Sequence, residues 1–172
     1  MARPVPDRIR LAVEALDGLA PDARVLEVGC GSGVAAELLC AKVPDGHVTA
    51  LDRSAAAVAR AEARLRRWCD ARVADVAERE LAAFHGDGRP YDAVLAVDVN
   101  AFWTGPADAE VARLRDLVAP DGVVHLWFSP PGGADRDPRD PGGRAAEALR
   151  RGGFAAEVEH VEGHAHVVAR PA

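Results

Sequence analysis

The chain has 172 residues, 49% of them apolar and 28% charged, and a formal charge of −6. That length suits one globular domain spanning 1–172, with a sizeable core, and the acidic balance offers no general attraction to nucleic acid phosphates. No apolar run reaches the length of a membrane span, the start Met1-Ala2-Arg3-Pro4-Val5-Pro6 lacks the apolar core of a leader, and Cys30, Cys40 and Cys69 have no metal-type spacing. The expectation is a cytoplasmic protein with free thiols and no membrane partner.

In chain order, residues 6–19 carry Ile9, Leu11, Val13, Leu16 and Leu19 among charges, which predicts an amphipathic helix ending near Gly18. Val25 to Val28 reads as a buried strand. It runs straight into Gly29-Cys30-Gly31-Ser32-Gly33 and then a helix-prone stretch, 34–42. After a Pro44-Asp45-Gly46 turn, 47–52 is a second strand closing on Asp52, and Ser54 caps a helix to about Trp68. A third strand over 71–75 closes on Asp75, followed by a helix from Val76 to Phe84. Then come a strand over 91–98, a helix from Pro106 to Val118, a turn at Pro120-Asp121-Gly122, a strand over 123–128 and a long loop over 129–143. A helix over 144–151 and two strands, 154–160 and 165–169, turning at Glu162-Gly163, finish the chain.

Strands alternating with helices predict an α/β fold, a doubly wound and mostly parallel sheet covered on both faces, with the closing hairpin adding an antiparallel strand. Ligands of such sheets lie beyond the carboxyl ends of the strands. The glycine turn is the first candidate site, because glycine accepts φ > 0 and lets a ligand approach the backbone; an ordinary strand-to-helix turn is the alternative. Asp52 is either a strand-end turn former or a carboxylate accepting two vicinal hydroxyls. Glu27, set among apolar residues, is costly to bury without a partner, so it needs a cationic or N–H group beside it.

These residues carry a resemblance. The chain resembles the class I S-adenosylmethionine-dependent methyltransferases over nearly all its length. Glu27-Val28-Gly29-Cys30-Gly31-Ser32-Gly33 is similar to the family's first motif, Asp52 stands with Arg53 where its ribose-binding acid closes the second strand, and Ala74-Asp75-Val76 resembles its adenine-contacting step. The resemblance implies a seven-stranded sheet with the last strand antiparallel, and S-adenosylmethionine as cofactor. The donor residues would be Glu27, Gly29, Cys30, Gly31, Gly33, Asp52, Arg53, Asp75, Val76 and Asp98. Asp75 is equally readable as a helix cap. Two alternatives stand beside this reading, a nicotinamide-binding oxidoreductase and a non-catalytic donor-binding module. The dinucleotide fingerprint needs glycine where this chain has Val34.

On the acceptor side, four of the eight aromatic residues, Phe102, Trp103, Trp127 and Phe128, fall at the ends of the fourth and fifth strands. They either line a pocket for a small, apolar or planar acceptor or cap the core. Asp98 is the candidate base or orienting group, with Asn100 behind it. Asp98-Val99-Asn100-Ala101 lacks the Asn/Asp-Pro-Pro-aromatic motif that holds planar amino groups in related enzymes, which disfavours nucleobases. The segment 129–143 or a second subunit, in a homodimer, would complete the pocket. Arg60, Arg64 and Arg67 share a helix face that reads as solvated. His160, His164 and His166 invite a metal reading, but no acid or thiolate stands at matching spacing, so no metal is expected.

Overall fold

The computed structural model describes residues 4–131 and 137–172. Seven strands form one sheet in the order β3-β2-β1-β4-β5-β7-β6. The strands are β1 (Arg24–Val28), β2 (His47–Asp52), β3 (Ala74–Glu78), β4 (Tyr91–Val97), β5 (Val118–Phe128), β6 (Phe154–Val161) and β7 (His164–Pro171). The helices are α1 (Asp7–Glu14), α2 (Val34–Lys42), α3 (Ala55–Asp70), α4 (Asp108–Leu117) and α5 (Pro141–Arg151). Neighbours among β1 to β5 pair in parallel, and β7 pairs antiparallel with both β5 and β6, so β7 alone runs against the rest. The chain direction changes sides between β1 and β4. There the ends of adjacent strands feed connections to opposite faces and leave a crevice.

Period-two alternation divides the core into two layers. Val25, Val48, Ala50, Leu95 and Trp127 pack with Leu11, Leu39 and Leu65 of α1, α2 and α3. Leu26, Leu51, Val94, Leu126 and Phe128 pack with Leu114 of α4 and Leu149 of α5. Because β1, β2 and β4 are covered on both faces, they read as mostly apolar runs, interrupted by Glu27 in β1 and Thr49 in β2. No described helix is long and apolar enough to cross a membrane.

The structure differs from the sequence reading in four places. Helix α1 stops at Glu14 and continues only as turns. Helix α3 runs on to Asp70, Arg72 turns with φ 60°, and β3 begins only at Ala74. The third strand therefore ends at Glu78, and only a short 3-10 turn, Leu81–Ala83, follows where a helix was expected. Pro120-Asp121-Gly122 lies inside β5. Tyr91 faces Val118 while Ala93 faces Val123, so the extra residues form a bulge instead of a separating turn. Finally, α5 starts at Pro141, N-capped by Asp140, whose Oδ1 accepts the Gly143 N–H at 3.0 Å. The expected loop over 129–143 is shortened accordingly, and its residues 132–136 lie outside the described residues.

Candidate active site

Beyond the ends of β1, β2 and β4 lies a cleft of about 440 Å³, with Gly29, Asp52, Leu81, Asp98, Asn100 and Phe102 on its walls. The glycine turn is tied to β2, because the N–H groups of Gly29 and Cys30 both donate to the Leu51 carbonyl, at 2.8 and 2.9 Å. Gly29, Gly31 and Gly33 have φ of 72°, 57° and 74°. The three glycines serve different ends. A Cβ at Gly29 would stand 2.6 Å from Val99 Cγ2 and one at Gly33 would stand 3.1 Å from the Ala61 backbone, whereas one at Gly31 would meet nothing within 4 Å. Gly31 thus has open space where a side chain would stand, and only its φ calls for glycine.

Asp52 Oδ2 accepts the Gly31 N–H at 2.9 Å and Oδ1 accepts the Ser54 N–H at 2.9 Å. A carboxylate has about four lone-pair sites, so two remain for a vicinal diol. Glu27 is 4% exposed, and its Oε2 has no partner among the described residues. Desolvation pushes its carboxyl up to about 8, against the opposing Ala36 backbone N–H. A cationic ligand group would relieve that cost. Cys30 is a buried turn residue, and burial pushes its thiol up to about 12.

Asp98 has φ 56°. Its carboxylate accepts the Ser129 N–H at 2.7 Å and Oγ–H at 3.0 Å, and Arg8 Nε of α1 lies 3.1 Å away. Three donors engage Asp98, which ties α1 to the ends of β4 and β5. Asn100 lines the cleft and starts a 3-10 turn, its carbonyl accepting the N–H groups of Trp103 and Thr104. Arg53 also lines the cleft.

Asp75 and Val76 are not in the cleft. Asp75 pairs in register with Thr49, three residues before Asp52, and its exposed carboxylate lies 3.0 Å from His47 Nε2. The level opposite Asp52 belongs to Glu78, and Arg79, Glu80 and Leu81 line the cleft in place of Asp75 and Val76. The late start of β3 is the reason. Sequence reading also missed Thr104 and Glu110, which reach the cleft from the loop before α4 and from α4 itself. Neither follows a strand end, so no local signal marks them.

The four aromatics do not form one rim. Phe102 is 1% exposed and lines the cleft. Trp127 is 2% exposed on the opposite sheet face, stacked on His166 with ring centroids 4.2 Å apart, and its indole N–H has no described partner. Phe128 floors a separate hollow of about 360 Å³ beside Pro130, Val158 and His160. Trp103 lies under the Arg139 guanidinium, 5.0 Å from its ring centroid. A strand-end pair such as Trp127 and Phe128 must point to opposite faces, which separates them.

A doubly wound α/β domain with a glycine turn after its first strand and an acid closing the second has the architecture of nucleoside-binding enzymes. The methyltransferase domain family matches residues 26–124, and the chain belongs to that family. The donor of this fold is S-adenosylmethionine, and the nicotinamide alternative falls away. Among curated relatives, the trans-aconitate 2-methyltransferase of Paracidovorax citrulli is 29% identical over 108 residues, 63% of this chain and 39% of its own. The chain therefore spans about two fifths of that relative's length. Among solved structures, an S-adenosylmethionine-dependent methyltransferase from Aquifex aeolicus superposes with a TM-score of 0.78 at 17% identity, over 96% of this chain and 92% of its own. Streptomyces venezuelae DesVI gives 0.73 at 19% identity, over 96% and 92%. At these identities the two structures speak for the fold.

Proposed function

We propose that the protein transfers the methyl group of S-adenosylmethionine to a small, partly apolar acceptor. The observation that carries this reading is Asp52, on the cleft wall, whose carboxylate holds the N–H of the unobstructed Gly31 and keeps two free acceptor sites. Bound there, S-adenosylmethionine supplies an electrophilic methyl group on a cationic sulfonium. The chain's own part is to bind, orient and exclude water, which suffices for much of an in-line displacement. Asp52 holds the ribose hydroxyls, and Leu81 and Phe102 wall the cleft. Asp98, fixed by Ser129 and Arg8, keeps negative charge at the mouth.

The hollow beside β5 supports the acceptor part. It begins one residue either side of Ser129, the residue bonded to Asp98, and combines the apolar Phe128 and Val158 with His160. His160, with Asp137 and Asp140 on the same walls, is a group there with which to orient an acceptor or receive its proton. A second acceptor class, small carboxylic acids, is favoured by Arg8, a cation at the cleft mouth, and by the name of the Paracidovorax relative.

Transfer of labelled methyl from S-adenosylmethionine to a panel of phenols, small amines and small carboxylic acids tests the reading, alongside calorimetric titration with S-adenosylhomocysteine. Binding with turnover on one acceptor class supports it. Binding without turnover on any acceptor restores the non-catalytic module, and absence of binding removes the cleft.

A further inference from the structure

The donor cleft leaves the histidines of the sheet's antiparallel edge unused. On the face shared with α1, Glu159 of β6, His166 of β7 and His125 of β5 form an unbroken chain. His166 Nδ1 lies 2.7 Å from Glu159 Oε1, and His125 Nδ1 lies 2.9 Å from His166 Nε2. An ionised carboxylate only accepts, so His166 Nδ1 carries the proton and its Nε2 is left as the acceptor. His125 must then donate from Nδ1, and its Nε2 is a bare lone pair. Burial, with His166 and Arg170 nearby, pushes His125 down to about 4, and burial lowers His166 too, so both rings are neutral at pH 7. Trp127 stacks on His166, and the His166 and His125 rings lie within 16° of parallel, which fixes the ring planes for the bond between them.

That lone pair has somewhere to point. His125 is 7% exposed, its Nε2 has no protein partner among the described residues, and the ring lines a cleft of about 480 Å³ at the amino-terminal end of the sheet, away from the donor. Leu16 and Leu19, after α1, make one wall. Asp22, Asp92 and Asp121 contribute three carboxylates against the single guanidinium of Arg170. Among the described residues none of these four is in an ion pair, and Asp92 accepts only the Arg24 backbone N–H, at 2.7 Å. No set of three metal-ligating side chains converges among the described residues.

An acceptor lone pair, two excess negative charges and an apolar wall suit a ligand rich in N–H donors, positively charged and with a short alkyl part. We infer that this cleft is a second binding site, for a small organic ammonium ion that donates to His125 Nε2 and to the surrounding carboxylates while its chain lies on Leu16 and Leu19.

Nitrogen NMR of the histidine side chains, with n-butylammonium chloride as probe and sodium butyrate at equal ionic strength as control, tests it. The free protein shows His125 with Nδ1 protonated and Nε2 bare, and butylammonium moves the Nε2 resonance saturably while butyrate does not. Asp121→Asn, at an exposed position of the wall, weakens butylammonium by about threefold with an unchanged melting temperature. His125→Phe weakens it by about tenfold, and the Asp121 variant decides the matter if that chain does not fold. A protonated Nε2 in the free protein, an equal response to butyrate, no response to butylammonium, or full affinity in Asp121→Asn would each overturn the proposal.

Discussion

Asp52 and Gly31 are joined through a 2.9 Å bond from the glycine N–H to Oδ2, while the other carboxylate oxygen holds the Ser54 N–H that opens α3. One side chain at the end of β2 thereby sets the shape of the turn after β1. The same carboxylate has lone pairs left for the donor. Asp52→Ala should weaken S-adenosylhomocysteine binding by about 1.5 to 3 kcal/mol, from lost bonds to a charged acceptor and a loosened turn. Calorimetry on both forms measures this, and equal affinities would move the ribose elsewhere.

Gly31 and Gly33 should respond differently to alanine. At Gly31 the only structural cost is φ 57°, about 1 to 2 kcal/mol, or a fall in melting temperature of about 2 to 8 °C. The new methyl enters the open side, so donor affinity is lost although the chain folds. At Gly33 the methyl also meets Ala61, at 3.1 to 3.2 Å, and stability falls further. Scanning calorimetry with and without S-adenosylhomocysteine separates the two.

Glu27 makes stability depend on pH. Its carboxyl is pushed from an ordinary 4.5 up to about 8, so between those values the folded chain keeps a proton that the unfolded chain has released. Stability should fall as pH rises across that window and level off above it. Glu27→Gln cannot ionise and removes this decline. Denaturant melts of both proteins at about pH 5 and about pH 9 check it. Parallel changes in the two would mean that Glu27 ionises in the fold as easily as in water.

Trp127→Ala should act on stability. Loss of a Trp that is 2% exposed and stacked on His166 costs about 3 to 5 kcal/mol, while donor affinity in the folded fraction stays unchanged. Phe128→Ala should in addition raise the KM for the acceptor, because Phe128 floors the hollow beside β5. Melting temperature, donor affinity and KM on the two variants are the readout. Turnover lost in Trp127→Ala without loss of stability would return that indole to the acceptor site.

The three thiols should react in order of access. Burial pushes both Cys30 and Cys40 up to about 12, while Cys69 is half-buried and raised less. A thiol reagent applied to the native protein at mildly alkaline pH should modify Cys69 first, and the other two only on unfolding. Mass mapping of the labelled peptides shows the order.

Much of this could be read from the chain itself, where the physics is local. The run of apolar residues into Gly29, Gly31 and Gly33, and the acid closing β2, mark strand, turn and cleft, because backbone conformation and strand ends depend on a few adjacent residues. The sheet and its reversed β7 follow from the alternation of elements. What the chain did not disclose is set by partners distant in sequence. The start of β3 was misread by three residues because nothing in Ala71-Arg72-Val73 marks a break before Ala74, yet Ala71 caps α3 and Arg72 turns at positive φ, and this put Asp75 and Val76 at the strand end where Arg79, Glu80 and Leu81 line the cleft. The split of Trp127 and Phe128 between two faces depends on register, and so does the meeting of His125, His166 and Glu159, residues on three strands that become neighbours only when β5, β7 and β6 pair. Adjacent residues determine which elements form. Which side chains face one another is decided by packing, since only the assembled sheet brings together groups as distant in sequence as His125 and His166, 41 residues apart.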